Sequence, residues 1–247
     1  MKLPHVRAVT FDAGNTLLAA EPAPPVIYAR VLSELGRPVT PEEVGPVFAA
    51  VWAEAQLRTE PGKDRYAANP GGERAWWGEF VRQVLSRLGH NALCEEALAR
   101  LYTEFTRPSV WRVFPGVRET LQALKERQVP LAVISNWDSR LPGILDGLGL
   151  SPFFDVIAVS SLEGMEKPAP EIFTRTLARL GTEPEATLHL GDSPREDYDG
   201  ARHAGLVPVL LDRAGHFANN GFRRISHISQ IMRFIGNDRG GSACSTP

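Results

Sequence analysis

Residues 6–17 read VRAVTFDAGNTL. Val6–Phe11 is a short apolar run rich in β-forming residues, it stops at Asp12, and the glycine-containing segment Ala13-Gly14-Asn15-Thr16 follows at once. This reads as a buried strand whose C-terminal end opens into a tight loop that carries an acid.

Further along, the same pattern recurs. From Pro115 the chain alternates helical and strand patterns: a helix over Gly116–Gln128, a strand over Pro130–Ile134, a helix over Leu141–Leu148 and a strand over Phe154–Val159. A helix over Glu171–Leu180, a strand over Thr187–Leu190, a helix over Asp197–Ala204 and a strand over Val207–Leu211 complete the series. Strands separated by helical stretches of about 10–15 residues imply parallel βαβ units and an open, doubly wound sheet.

Between the first strand and this series, Ala23–Leu35, Pro41–Arg58, Glu73–Leu88 and Glu95–Arg107 repeat apolar residues at three-to-four spacing. Thr40 is the expected N-cap, with Pro41 at the first helical position and Glu43 three residues after the cap. Gly36 and Gly89 are expected C-terminal stops, and the Pro-, Gly- and Asn-rich stretch Glu60–Gly72 is expected to be a loop. The expectation is an α/β protein: a Rossmann-like core from residues 1–18 and 110–235, an α-helical cap over 19–109 inserted after the first strand, and a disordered tail over 236–247.

The bulk composition excludes several classes. A formal net charge of -2 over 247 residues gives no footprint for nucleic acid. No window approaches the ~18 apolar residues of a membrane span, and the N-terminus has no secretory pattern. Cys94 and Cys244 lie far apart with no metal or redox spacing, which suits free thiols in a reducing compartment. The expected setting is the cytoplasm, as a monomer or homodimer.

Chemistry gathers where the apolar runs stop. Asp12, Ser135, the Ser160–Lys167 segment and Gly191-Asp192 each follow a strand, and ligand sites in open α/β sheets form beyond the carboxyl ends of strands. An acid, a hydroxyl, a lysine and a second acid facing one crevice suit phosphoryl transfer. A divalent cation between Asp12 and Asp192 would offset the repulsion between a phosphate ester and an attacking carboxylate. Lys167 offers a point charge to phosphate oxygens, and Ser135 a hydrogen bond.

The ordered set Asp12-Ala13-Gly14-Asn15-Thr16-Leu17, Ser135-Asn136, Lys167-Pro168 and Gly191-Asp192-Ser193 with Asp197 resembles the four motifs of the haloacid dehalogenase superfamily. The inserted module resembles that of its helical-cap subgroup. The resemblance implies a magnesium-dependent phosphatase acting on a small phosphorylated metabolite. It makes Asp12 the nucleophile that forms an aspartyl-phosphate and Lys167 its catalytic partner. Ser135, Asn136 and Thr16 serve the substrate side. Asp12, the Gly14 carbonyl, Asp192 and Asp197 hold the metal, Asp197 directly or through water.

One position departs from the pattern. Phosphatases of this superfamily carry a second Asp two residues after the nucleophile as general acid/base, and here that residue is Gly14. Such catalysis is worth about 10²–10⁴ in rate, so ordinary phosphomonoesters are expected to turn over poorly unless another group stands in, Asp138 being one candidate. Restoring the acid with Gly14→Asp is expected to raise activity. The same gap fits a 2-haloacid dehalogenase, whose halide leaves unprotonated, although the Asp192/Asp197 pair is then a liability without a cation. A catalytically quiet phosphate- or partner-binding protein is the third reading.

His189 is read as structural, Glu196 and Asp199 as solvated acids, and Trp52, Trp76 and Trp77 as helical core. Trp137, directly after Ser135-Asn136, is singled out for substrate or cap contact.

Overall fold

A computed structural model describes residues 6–57, 62–218 and 220–236. The expected disordered tail, apart from Gly236, falls outside them.

The chain opens with β1 (Ala8–Phe11), buried along its whole length. A turn follows, then the short β2 (Leu18–Ala20). Four helices come next: α1 (Pro24–Glu34), α2 (Pro41–Leu57), α3 (Gly72–Arg87) and α4 (Cys94–Glu104). Then β3 (Trp111–Val113) returns to pair antiparallel with β2, Leu18 opposite Val113 and Ala20 opposite Trp111. The helical module therefore leaves and re-enters through a two-stranded ribbon. Sequence reading missed it, because three-residue strands carry too little periodicity to register.

The remaining chain runs α5 (Val117–Glu126), β4 (Leu131–Ser135), α6 (Leu141–Gly147), β5 (Val156–Val159), α7 (Ser160–Glu163), α8 (Pro170–Leu180) and β6 (Thr187–Gly191). A widened helical turn over Pro194–Asp199 leads into α9 (Gly200–His203), then β7 (Val207–Leu211) and β8 (Arg224–Ile225). Proline 208 lies within β7 yet the strand still pairs with β6 and β8.

The six-stranded sheet has the order β5-β4-β1-β6-β7-β8, all parallel. Skipping the ribbon strands, this is the doubly wound order 3-2-1-4-5-6, with its reversal between β1 and β6. Asp12 follows β1 and Asp192 follows β6, so the topology puts both acids at the crevice where the order switches. The α/β Rossmann-like expectation holds.

Amphipathic spacing explains how helices cover the sheet. In α5 the buried residues are Val117, Thr120, Leu121 and Leu124, one stripe at three-to-four spacing. In α8, Ile172, Phe173, Thr176 and Leu177 are buried and, with Ile134, Ala201 and Leu206, form the core on one face. A larger core around Phe11, Leu131, Val133 and Leu145 fills the other. The helical module has its own core, including Tyr28, Leu32, Val51, Phe80, Val84 and Leu101. The expected capping box is present: Glu43 N donates to Thr40 Oγ1 at 3.2 Å and Thr40 N to Glu43 Oε2 at 2.7 Å. No helix among the described residues is long and apolar enough to cross a membrane.

Candidate active site

Asp12 emerges from β1 with its backbone N–H held by the Leu190 carbonyl of β6 at 2.9 Å. Its Oδ1 accepts from Ser135 Oγ, at the end of β4, at 3.0 Å and from Lys167 Nζ at 2.7 Å. Lys167 is 1% exposed, and its ammonium also donates to Asp197 Oδ1 at 2.5 Å. The ends of β1 and β4 thus meet at one carboxylate, which a buried ammonium ties to Asp197.

Asn136 places that lysine. Its Nδ2 donates to the Lys167 carbonyl at 2.8 Å, and its Oδ1 accepts from the Lys167 backbone N–H at 2.7 Å. Both polar atoms of the Asn136 side chain are therefore bound to the lysine's backbone. Thr16 Oγ1 lies 3.4 Å from Asp192 Oδ1. Asp12, Asp192 and Asp197 each offer an oxygen, all within 4.8 Å of one another.

Asp197 is set from beneath. Its Oδ2 accepts from Ser193 N–H at 2.9 Å, and His189 Nε2 stands 3.2 Å from Oδ1. The other nitrogen of His189 meets Thr10 Oγ1 of β1 at 2.8 Å. Gly191 is what lets Asp197 come so close: a Cβ there would stand 2.1 Å from Asp197 Cγ, a separation no real pair of carbons tolerates.

Three carboxylates share this space with one ammonium. Burial raises the Asp12 carboxyl above its ordinary range, Lys167 pulls it back, and Asp197 pushes it up again. Asp192 is pushed up to about 7, by burial first and then by Asp12 and Asp197. Asp197 would rise through burial, but Lys167 and His189 hold it well below the usual carboxylate range. Burial alone would depress the Lys167 ammonium; Asp12 and Asp197 override it and hold it above the ordinary lysine value. Burial keeps His189 below the ordinary imidazole range despite Asp197. Burial first, and its two neighbouring carboxylates second, thus drive Asp192 toward its neutral form.

The helical module meets the core beside these residues. Arg65 forms a bidentate pair with Glu166, Nε to Oε2 at 2.8 Å and Nη2 to Oε1 at 3.0 Å, and both side chains are buried. Trp77 Nε1 donates to Asp138 Oδ2 at 2.7 Å. Glu73 accepts from Ser139 N–H at 2.8 Å and from its hydroxyl at 2.5 Å.

Asp138, the candidate stand-in acid, is spoken for. Its Oδ1 accepts from Arg140 N–H at 3.1 Å and Nε at 2.8 Å, and its Oδ2 from Arg140 Nη2 at 2.5 Å as well as from Trp77. Both of its oxygens are thus occupied by donors from Arg140 and Trp77. Glu196 also departs from expectation. It is half-buried, 3.6 Å from Arg65, and burial raises its carboxyl despite Lys167 and Arg65.

Sequence reading missed Arg213. It donates to the carbonyls of Asn15 and, at 2.8 Å, Thr16, while its guanidinium stacks 4.0 Å from the Phe114 ring centre. It thereby pins the loop after Asp12, in which Asn15 takes a left-handed φ of 51°. Nothing in the local sequence marks an arginine some two hundred residues away as its clamp; only its place just after a strand end was a hint.

The sequence profile of haloacid dehalogenase-like hydrolases matches residues 6–205. Haloacid dehalogenase-like hydrolase domain-containing protein 3 of Bos taurus is 35% identical over 210 residues, 84% of this chain and 82% of its own. A HAD phosphatase from Thermococcus onnurineus superposes with a TM-score of 0.64 at 25% identity, over 92% of this chain and 97% of its own. A 2-haloacid dehalogenase from Pseudomonas syringae shares the fold, with a TM-score of 0.60 at 23% identity over 92% and 96% of the two chains.

Proposed function

The chain belongs to the haloacid dehalogenase-like hydrolases, and from that premise we propose that it is a magnesium-dependent phosphohydrolase of small phosphorylated metabolites, working through an aspartyl-phosphate on Asp12. The observation that carries the reading is the trio Asp12, Asp192 and Asp197, whose oxygens lie within 4.8 Å of one another and two of which bond to a single buried ammonium. Halide displacement needs one carboxylate nucleophile, and the extra acids would only raise its cost. A phosphoryl-transfer site uses them to hold a cation.

The donor set fits magnesium. It is all oxygen, as a hard cation requires, and the three carboxylates each offer an oxygen within 4.8 Å of the others. Asp12, Asp192 and the Gly14 carbonyl would hold the ion. Asp197, whose oxygens already serve Lys167, His189 and Ser193, would act through water. Bound there, magnesium supplies charge neutralisation and alignment of the transferring group.

The protein's own residues do the rest. Ser135 and Lys167 anchor Oδ1 of Asp12, which makes Oδ2 the attacking atom. Lys167, with a third N–H beyond those given to Asp12 and Asp197, then faces the equatorial oxygens of the phosphoryl group and stabilises the charge that develops there. Asn136 keeps Lys167 in register through its backbone. The helical module, held against the core by the Arg65–Glu166 pair, acts as the cap that excludes water.

Hydrolysis of an aryl phosphate with magnesium and with EDTA, beside Asp12→Asn, tests this. Turnover that needs magnesium and vanishes in the variant is expected. Halide release from a 2-haloacid in the presence of EDTA, without phosphatase activity, would replace this reading with the dehalogenase, which the missing acid at Gly14 favours.

A further inference from the structure

Gly14 is more than a missing carboxylate. A Cβ built on it would lie 3.2 Å from Cζ3 of Trp137 and 3.9 Å from Cε3. The first contact is tighter than ordinary packing, so a side chain at position 14 must shift the indole or turn away from it. The indole thus covers one side of Gly14.

The indole is held where it is. Trp137 N–H donates to the Ser135 carbonyl at 3.0 Å and to Ser160 Oγ at 3.1 Å. Its carbonyl accepts from Ser161 N–H at 3.2 Å and from Ser160 Oγ at 3.1 Å. Its ring packs on Trp111, with centres 5.0 Å apart. Trp111 is fixed in turn by Nε1 donating to the Phe105 carbonyl at 3.1 Å. The ribbon ties this wall to the glycine itself: Trp111 pairs with Ala20 of β2, and Gly14 bridges to Leu18 at the start of that strand.

Resting on the phosphohydrolase reading, we propose that Gly14 and Trp137 form one unit in which an indole wall stands where an acid would, confining the enzyme to phosphate compounds whose leaving group departs unprotonated. The chemistry follows. Oδ2 of Asp12 forms a bond to phosphorus as the bond from phosphorus to the leaving oxygen breaks, and that oxygen takes both electrons with no proton supplied. Water then attacks phosphorus, the bond to Oδ2 breaks and restores the carboxylate, and the water's proton goes to the released phosphate. The first step is easy for an acyl phosphate, whose carboxylate leaving group has a pKa of about 4, harder for a phenol of about 10, and hardest for an alkyl alcohol. Acyl phosphates and phosphoanhydrides are the substrate class, and the apolar wall suits a leaving group with a flat or apolar flank.

The test compares kcat/KM for acetyl phosphate, phenyl phosphate and glycerol 3-phosphate in wild type, Gly14→Asp, Trp137→Leu and the double variant. Leucine keeps an apolar side chain but lacks Cε3 and Cζ3. Wild type is expected to prefer acetyl phosphate over glycerol 3-phosphate by at least about 10²-fold, the worth of an absent general acid. G14D alone leaves that ratio in place, and the double variant narrows it at least about tenfold. A ratio narrowed as far by G14D alone, or a wild-type ratio within about tenfold that widens in Glu196→Gln, overturns the proposal.

Thermal melting separates this from failure of the functional reading. Gly14→Ala adds only the Cβ, and overpacking it against the indole is expected to lower Tm by about 2–4 °C. In the Trp137→Leu background the drop disappears. Equal drops in both backgrounds refute the unit even in a protein that turns over no phosphate; a lost drop with no turnover of any ester leaves the wall standing and removes the phosphohydrolase.

Discussion

Replacing Gly191 by alanine puts a methyl group where Asp197 now stands. The new carbon would sit 2.1 Å from Asp197 Cγ, 2.2 Å from Oδ2 and 2.5 Å from Cβ. Carbon atoms rest at about 3.5–4.0 Å, so the carboxylate must retreat by roughly 1.5 Å. The contact from Lys167 Nζ to Oδ1, 2.5 Å in the native arrangement, then stretches to about 4 Å and stops being a hydrogen bond. The bond from Ser193 N–H to Oδ2 goes with it. Breaking a buried ion pair costs about 3–5 kcal/mol, which for a chain of this size is a fall in Tm of about 10 °C. Displacing Lys167 from the nucleophile is expected to reduce kcat/KM by about 10²-fold, the price of a misplacement near 1 Å. Differential scanning fluorimetry and steady-state kinetics read the two effects. Gly143→Ala is the control: nothing lies within 4 Å of its Cβ in α6, so it is expected to be neutral or to stabilise by about 0.5–1 kcal/mol. If Gly191→Ala melts within about 2 °C of wild type and keeps its catalytic efficiency, the steric account of the Gly-Asp motif is wrong.

Arg65→Met leaves Glu166 buried without its partner and is expected to lose about 3–5 kcal/mol by urea denaturation; adding Glu166→Gln should recover part of it, and a double variant no better than the single counts against the pair. Arg213→Ala removes two hydrogen bonds to the loop after Asp12 and the stack on Phe114. It is expected to reduce kcat more than stability, with no rescue by lysine, which lacks the planar fork. Asp192 has a raised pKa, so the folded protein holds a proton that the unfolded chain has already released between the ordinary carboxylate range and about pH 7. This group's contribution to ion-free stability is therefore full at low pH and is lost as pH rises toward 7. A divalent cation must displace that proton, so its affinity should rise with pH up to about 7, with proton release seen by calorimetry in two buffers; pH-independent affinity would contradict the assignment. Magnesium at about 100 times its Kd should raise stability by about 2.7 kcal/mol, and Asp192→Asn should abolish the shift.

The core was readable because its strands are buried on both faces and stop abruptly at residues with chemistry to do. Val6–Phe11 ending at Asp12, and Thr187–Leu190 ending at Gly191-Asp192, mark by where the apolar run breaks the acids that the fold brings together. The relations among distant segments were not readable. Arg65 and Glu166 lie 101 residues apart, and neither stands in a pattern that asks for the other. Glu196 read as a solvated acid because a single sequence does not tell which face of a turn is covered by a module inserted far upstream. His189 reads as structural from sequence, and it is buried beneath Asp197, where its nitrogens link β1 to the acid. Asp138 looked available for proton transfer only because Trp77, 61 residues before it, was out of sight.

Glu166 and Lys167 are consecutive, and that adjacency gives the Arg65–Glu166 pair a second meaning. A charge on the inserted module is fastened to the peptide unit next to the ammonium that faces the nucleophile. Lifting the module would expose Glu166 to water and slacken the backbone that aims the lysine. Opening and misalignment are therefore one event. By reciprocity, under the function proposed above a ligand held by the lysine would favour the seated module, and the seated module would favour the ligand.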